Sequence, residues 1–410
     1  MGSLLDILAT GLAAYWVVAA FFIFRARSAL PPVPTWPAGE PPPGGWPRVS
    51  IVVACRDEAE HVRDAVSSFL DLDYPDYEVV AVNDRSSDGT GAILDDLAQR
   101  SARLKTVHLA SLPAGWLGKT NALRAGAEQA RGDWLLFTDA DARFHPLLLR
   151  RAVERAAARD LDLLTLLPRN ETRSFWMGSF QILWTLFFIL WMGVWAHGRK
   201  RQSIVAGGAG AFILVRRAAH ERAGGHEAIR LAVIDDFALA RLIRIVGGRT
   251  EIAVSGDWLL VPYAPTYRDL FRVTRKNAFA LVGYRLSLML PLTLLILTTQ
   301  CLPFLLWILD LRFWPQSLVA WIAVACVYRM LSRLSGTPSI SFLLHPLSIV
   351  LQLFPWWGSA IAVTREGGVS WRGSFYPLRE LREFERSWPA AARRACLREP
   401  SSVPAAAREA

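Results

Sequence analysis

An α/β domain joined to membrane helices at both ends is the fold class this sequence predicts, and three observations predict it. From Arg48 onward, β-branched runs alternate with helix-sized segments. Leu286 to Leu309 holds 24 residues without a charge, enough to cross a hydrocarbon core of about 30 Å. The 410 residues are 52% hydrophobic with 17 Trp, yet carry a formal charge of +10. Apolar surface combined with basic excess fits a membrane protein whose Lys and Arg face the cytoplasm.

The elements follow in order. Leu8 to Phe24 is apolar and is followed by Arg25 and Arg27. It lacks a basic n-region and a small-residue cleavage site, so residues 1–27 read as a retained anchor with its positive flank in the cytoplasm. Residues 28–47 contain "PPVPTWPAGEPPPGGWP" and predict an extended linker. Next come "RVSIVVAC" as a strand and Glu58 to Leu70 as a helix, then "YEVVAVND" and a helix over Gly89 to Arg100. "LKTVHLA", a helix over Lys119 to Arg131, and "DWLLFTD" complete the alternation. Right-handed crossovers between such strands give a mostly parallel sheet, here in a cytoplasmic domain spanning 48–285.

Within that domain, residues 174–198 form an aromatic-rich, uncharged stretch. A single crossing there would put Asp235 and Asp236 across the membrane from the earlier motifs, so an interfacial helix is expected, with a tight pair of crossings or a buried core helix as the alternatives. The C-terminal membrane region, 286–363, adds Phe313 to Tyr328 and then Pro338 to Val363, the latter interrupted by His345-Pro346 and Pro355. Reading this last run as re-entrant or interfacial keeps the basic tail, 364–410, in the cytoplasm. The four cysteines form no CxxC pair, which excludes a disulfide framework or a zinc site of that spacing.

Ligands of open parallel sheets bind beyond the carboxyl ends of the strands. Three strands here end in polar clusters: Arg56-Asp57-Glu58, Asn83-Asp84-Arg85-Ser86 and Asp139-Ala140-Asp141. In extended chain, Asp139 and Asp141 point the same way, and two repelling carboxylates take up a proton or a divalent cation. Hard oxygen ligands favour Mg2+ or Mn2+, which completes its shell with water and substrate phosphates. Asp84, at a strand terminus, suits hydrogen bonds from a base or ribose, and Asp57 on the neighbouring strand end is grouped with it as donor-binding. Lys119, at a helix mouth, suits a diphosphate. "LPAGWLGKT" has no glycine five residues before Gly118, which excludes a P-loop. Asp235 and Asp236 open an amphipathic helix and offer a base for an acceptor hydroxyl.

The order of "SIVVACRDEAEHV", "VNDRSSDGT", "LPAGWLGKTNAL", "LLFTDADARFHP", "GGAGAFILVRR", "GGHEAIRLAVIDDFALARLIRIVGG" and "SWRGSFY" resembles family 2 glycosyltransferases. The likeness is strongest to membrane-bound bacterial enzymes acting on lipids, such as hopene-associated and carotenoid-type glycosyltransferases. It implies a nucleotide-diphospho-sugar transferase (GT-A-like) fold and inverting, metal-dependent transfer. Asp84 matches the nucleoside-binding aspartate, and Asp139 and Asp141 the DxD that holds metal and donor diphosphate. Asp235-Asp236 matches the acidic pair that supplies the base, with Asp236 favoured. "RVTRKN" departs from the Q/RxxRW pattern of processive synthases: it keeps Arg272 and Arg275, expected at acceptor or phosphate, but places Lys276 where Trp would stand.

The expected function is transfer of a sugar from a nucleotide-diphosphate donor to a lipid hydroxyl at the cytoplasmic face of the inner membrane. Alternatives are a processive polysaccharide synthase, a prenyl-phosphate sugar transferase, or a non-catalytic nucleotide-sugar sensor. No nucleic-acid partner is expected, because the basic residues gather beside the membrane segments.

Overall fold

The computed structural model describes residues 4–398 apart from 31, 38, 40, 43, 172–173, 192–206, 263 and 265. Helix α1 (Leu4–Ala29) precedes an alternating unit of β1 (Val49–Cys55), α2 (Val62–Leu70), β2 (Tyr77–Asp84), α3 (Thr90–Arg100), β3 (Leu104–Leu109), α4 (Gly118–Gln129) and β4 (Trp134–Asp139). Then come β5 (Arg143–Phe144), α5 (Leu148–Ala158), β6 (Leu163–Leu167), β7 (Arg169–Asn170), α6 (Phe175–Trp191), β8 (Ile213–Arg216), α7 (Arg217–Arg222), α8 (Asp235–Ile245), β9 (Thr250–Val254) and β10 (Leu259–Val261). The chain continues through α9 (Tyr267–Leu281), α10 (Leu286–Gln300), α11 (Leu302–Leu309), α12 (Trp314–Ser335) and α13 (His345–Glu366). It ends in a hairpin, β11 (Gly368–Trp371) and β12 (Ser374–Pro377), and α14 (Leu378–Arg398).

The central sheet has seven strands in the order β3-β2-β1-β4-β8-β6-β9. β1 pairs in parallel with both β2 and β4, and β8 runs antiparallel between β4 and β6. Residues of β1 are buried on both faces, as a Val/Ile run covered by helices on each side should be. Register aligns Ala54 with Asp139 and Cys55 with Asn83. That alignment brings the three polar clusters to one edge, at the point where strand order reverses.

On the membrane side, three segments are long and apolar enough to cross a bilayer: Leu4–Ala26, Leu311–Ser332 and Ser339–Glu366. The 24-residue run is not one straight helix. It breaks at Cys301, with Pro303 in the first turn of α11, a position where proline's missing N–H costs nothing. α10 also turns 111° away from α9. α13 continues through Pro355 without the break its sequence predicted. The discontinuity lies earlier, at left-handed Gly336 and a 3-10 turn over Ser339–Leu344. His345 sits edge-on to Trp16, midway along α1, with ring centroids 5.0 Å apart. Gly336 abuts Arg169, and Glu366 pairs with Arg275, so both flanks of this segment lie against the α/β domain.

Three further expectations meet differences. Residues 28–47 are not a free linker: Val33 and Trp36 are buried in the domain core, Arg155 lies over the Trp36 ring, and Pro32 bridges to Val254. Prolines fix the path there, but aromatic and aliphatic residues dock it. The basic tail is ordered through α14, and the domain is therefore not confined to 48–285. Tyr376, Leu378, Leu381, Phe384 and Trp388 join the core that includes Leu123, Leu239 and Leu242. Finally, the expected interfacial helix begins as α6, with residues 192–206 outside the described set. Ile182, Leu186 and Ile189 pack against α1 and α12, and Leu183 packs against Cys301 and Ile349. α6 is thus built into the helical bundle rather than resting alone on a surface.

Candidate active site

The strand ends, the first turn of α4, α9 and the C-terminal hairpin enclose a cavity of about 280 Å³. Its charged lining comes from Arg56 and Glu58 after β1, Asp84 and Arg85 after β2, Lys119 on α4, Asp139 and Asp141 after β4, and Asp235 on α8. Lys276 on α9 and Arg372 in the hairpin complete it. Arg85 and Arg372 have left-handed backbones, at φ 57° and 45°. Such conformations are costly outside glycine and cluster where a site over-determines them.

Lys119 is the hub. Its Nζ lies 2.8 Å from Asp139 Oδ1 and 3.3 Å from Asp235 Oδ2. Burial works against its charge, but Asp139, Asp235 and Asp236 outweigh burial and hold it well above the ordinary lysine value. Asp141 is pushed up to about 7 by burial and then by the charges of Asp139 and Glu58. This is an excess of negative charge that a dication would relieve. Among the described residues, no group of three or more His, Cys, Asp or Glu has metal-holding geometry. Two carboxylates with the rest of the shell left to water and diphosphate fit Mg2+ or Mn2+.

Asp84 is 2% exposed and held by its neighbour Arg85, Nε to Oδ1 at 2.7 Å and a terminal nitrogen to Oδ2 at 3.0 Å. Gly118 is required beside it: a Cβ there would lie 2.6 Å from Asp84 Oδ2. Asp57 does not line the cavity. Its Oδ1 accepts the Ser87 N–H at 2.8 Å and its own N–H donates to Ser86 Oγ at 3.1 Å. Those bonds tie together the loops after β1 and β2, so the carboxylate shapes the rim from behind.

The two aspartates of α8 have different surroundings. Asp235 faces the cavity and Lys119. Asp236 turns toward the glycine loop: its Oδ2 accepts the Gly210 N–H at 2.9 Å and its Oδ1 the Phe237 N–H at 2.8 Å. Burial and then the charge of Asp235 raise Asp236 to about 7. The ordinary carboxylate value is 3.8, so between the two values the folded protein keeps a proton that the unfolded chain has released. The resulting stabilisation is complete at low pH and lost as pH rises through about 7. The melting temperature of metal-free protein is therefore expected to fall from about pH 5 to about pH 8. Asp236→Asn should make that slope shallower; an unchanged slope counts against the raised value.

Arg272 and Arg275 are not in this cavity. They line an adjoining one between α9, α13 and β11, of about 390 Å³, which shares Lys276, Trp371 and Arg372 with the first. Arg272 pairs with Asp269 at 2.9 Å, and Arg275 with Glu366. Between the cavities, Lys276 Nζ sits 4.7 Å from the centroid of the Trp371 ring, and burial lowers the amine to about 8.

The hairpin, whose "SWRGSFY" entered the resemblance with no site residue assigned, supplies contacts that sequence reasoning missed. Arg372 donates to Glu58 Oε1 at 2.5 Å, and the Gly118 N–H donates to the Tyr376 hydroxyl at 3.2 Å. The signal was present, since "VSWRGSFY" alternates around an Arg-Gly turn, but it follows the membrane helices and its place over the cavity depends on them. Arg372→Ala is expected to raise the donor KM by roughly tenfold with little change in kcat, the pattern of a lost ground-state contact. Equal losses in kcat and kcat/KM would place Arg372 in the transition state instead.

Comparisons with known proteins agree with this geometry. Residues 50–224 match the family model described as Glycosyl transferase family 2. The chain is 31% identical over 267 residues to a beta-monoglucosyldiacylglycerol synthase from Synechocystis sp., covering 59% of this chain and 52% of that protein. It is 39% identical over 93 residues to a poly-beta-1,6-N-acetyl-D-glucosamine synthase from Staphylococcus epidermidis, 23% of this chain and 21% of that one. The chain thus spans about half the length of the first of these relatives and less of the second. In fold it is similar to a mannosyltransferase from Pyrobaculum calidifontis solved with GDP-Man and Mn2+, with TM-score 0.52, 19% identity, and coverage of 88% of this chain and 99% of that chain. Residues 50–224, somewhat under half of the chain, are thus similar to the family 2 glycosyltransferases.

Proposed function

We propose that this protein transfers a sugar, with inversion, from a nucleotide-diphosphate donor to a lipid hydroxyl at the cytoplasmic face of the inner membrane. The observation that carries the reading is the junction at Lys119. One ammonium joins the Asp139 end of the donor cavity to the Asp235–Asp236 helix, so donor diphosphate and acceptor base lie on either side of one group. The lipid acceptor rests on the apolar helices around the domain and on the relative named beta-monoglucosyldiacylglycerol synthase.

In this reading Asp84 and Gly118 receive the nucleoside, while Lys119 and Arg56 face the diphosphate. Asp139 and Asp141 are the residues that would hold Mg2+ or Mn2+, which would supply positive charge against the leaving diphosphate. Asp236 takes the proton of the acceptor hydroxyl. The acceptor oxygen bonds to the anomeric carbon from the face opposite the diphosphate as the carbon–oxygen bond to phosphate breaks. Asp236 suits the role better than Asp235 because a base poised near neutrality works best, whereas Asp235 already faces the Lys119 ammonium.

The topology follows the same proposal. α1, α10–α11 and α12 cross the bilayer, and the segment from Gly336 to Glu366 re-enters from the domain side. The hairpin and α14 then stay with the domain, and their basic residues remain cytoplasmic. The test is nucleotide release by purified protein in detergent with candidate nucleotide-sugars, diacylglycerol and manganese. Lipid-dependent release together with a glycolipid carrying one sugar supports the reading. Polymeric product would favour a processive synthase; the Staphylococcus relative is named poly-beta-1,6-N-acetyl-D-glucosamine synthase.

A further inference from the structure

The cavity between α9, α13 and β11 has no part in the transfer itself. Four cations line it, Arg272, Arg275, Lys276 and Arg372, against the single carboxylate of Glu366. We propose that it binds the phosphate of an anionic lipid headgroup, and that this lipid tightens the donor site next door. The inference rests on the donor site and membrane placement of the transferase reading and adds a ligand that neither contains.

Three observations carry it. The first is an unbalanced charge. Arg272 is paired with Asp269, Arg275 with Glu366, and Arg372 donates to Glu58. Lys276 differs: among the described residues no carboxylate pairs with it, and its ammonium rests on the Trp371 ring at 4.7 Å from the centroid. Burial and then the charge of Lys119 work against that cation. A buried charge in this state is costly until an anion meets it. A contact with the end of α13 accounts for Arg275 and leaves Lys276 unexplained.

The second is position. Ala362, Val363 and Glu366, in the last turns of α13, form one wall of the cavity, and Glu366 ends the apolar segment Ser339–Glu366. Ile361, next to Ala362, is exposed on the outer face of α13. Apolar outer surface thus borders a basic cavity at the end of a membrane segment, where basic pockets meet anionic headgroups.

The third is continuity. Lys276, Trp371 and Arg372 line both cavities, so one wall of side chains separates headgroup from donor. On the donor side, Arg372 reaches Glu58, and Tyr376 of the same hairpin accepts the Gly118 N–H. A phosphate behind this wall gives Lys276 its partner and fixes Trp371 against it. The hairpin then has less freedom to lose when the donor binds, and the donor binds more tightly. By the same coupling, bound nucleotide tightens the lipid.

The experiment uses full-length protein in nanodiscs of phosphatidylcholine, alone or with phosphatidylglycerol. UDP and GDP are titrated in turn with manganese, and binding is read by calorimetry. The nucleotide that binds is expected to do so about fivefold more tightly with phosphatidylglycerol present. Lys276→Arg should keep this difference, Lys276→Met should remove it, and Arg272→Gln, outside the donor cavity, should shrink it. A phosphatidylglycerol with a diazirine beside its phosphate should label α9 and β11 in the absence of nucleotide, competed by unlabelled phosphatidylglycerol and not by phosphatidylcholine. Equal affinity in the two discs, or labels concentrated on other elements, would overturn the proposal. So would a gain that persists in both Lys276→Met and Arg272→Gln, which would belong to general surface charge. Inorganic phosphate producing the same gain in phosphatidylcholine discs would overturn the lipid assignment in favour of free phosphate. Binding and labelling are read without sugar transfer, so a lipid-dependent protein that transfers no sugar sinks only the transferase reading. Transfer indifferent to phosphatidylglycerol, without labels on α9 and β11, sinks only this one.

Discussion

Asp236→Asn is expected to lower kcat by about 10²–10⁴, the usual contribution of a positioned general base, while leaving donor affinity near wild type. Asparagine keeps the shape and can still accept the Gly210 N–H that Asp236 Oδ2 accepts at 2.9 Å, so the glycine loop should stay in place. What is lost is the proton acceptor. Asp235→Asn is expected to behave differently. It removes a carboxylate 3.3 Å from Lys119, so donor affinity should change along with rate. The measurement is single-turnover sugar transfer beside nucleotide binding for both variants. If Asp235→Asn gives the pure rate defect and Asp236→Asn mainly a folding defect, the roles are reversed, and Asp236 only holds the loop. A pH profile adds an independent check. With Asp236 raised to about 7, turnover of wild type should climb through neutrality as the base loses its proton, and the residual activity of Asp236→Asn should lack that limb.

The parts of this site that were legible in the sequence share a physical reason. β1, β2 and β4 are continuous buried runs ending abruptly in charge, and strand register alone then fixes Ala54 beside Asp139. Asp84, Lys119, Asp139 and Asp235 therefore converge on one cavity as expected from their positions. Asp57 lies outside the cavity lining, because proximity to a strand end does not say which way a side chain turns. Its left-handed backbone, φ 52°, turns the carboxylate toward Ser87. β8 was not read as a strand, since four residues after a glycine loop carry little periodic signal, and its antiparallel insertion depends on packing far along the chain. α14 hid behind its own charge. Leu378, Leu381, Phe384, Trp388 and Ala392 form a helical stripe that is buried on the domain, yet the abundance of arginine made the segment read as a basic cytoplasmic tail. Charge decides which face of a helix meets water, and it does not decide whether the other face docks.

Asp139→Asn and Asp141→Asn should both reduce metal-dependent turnover by at least the order of 100-fold typical of losing one transition-state charge contact, but their effects on stability should have opposite signs. Asp139 is paired with Lys119 at 2.8 Å. Removing its charge leaves a buried ammonium with less compensation, so metal-free Asp139→Asn should melt below wild type. Asp141 is raised to about 7 by burial and by Asp139 and Glu58, so its ionised form works against folding at neutral and higher pH. Metal-free Asp141→Asn should match or exceed the wild-type melting temperature above about pH 7. Added manganese should reverse this ranking, because wild type gains stability from the bound ion while Asp141→Asn loses a ligand and gains little. The check is a thermal melt of each protein at neutral pH, with and without manganese, beside its nucleotide-release rate. Manganese stabilising Asp141→Asn as strongly as wild type would remove Asp141 from the metal site. Turnover indifferent to manganese in wild type would leave Lys119 and the cavity arginines as the groups that carry the diphosphate's charge.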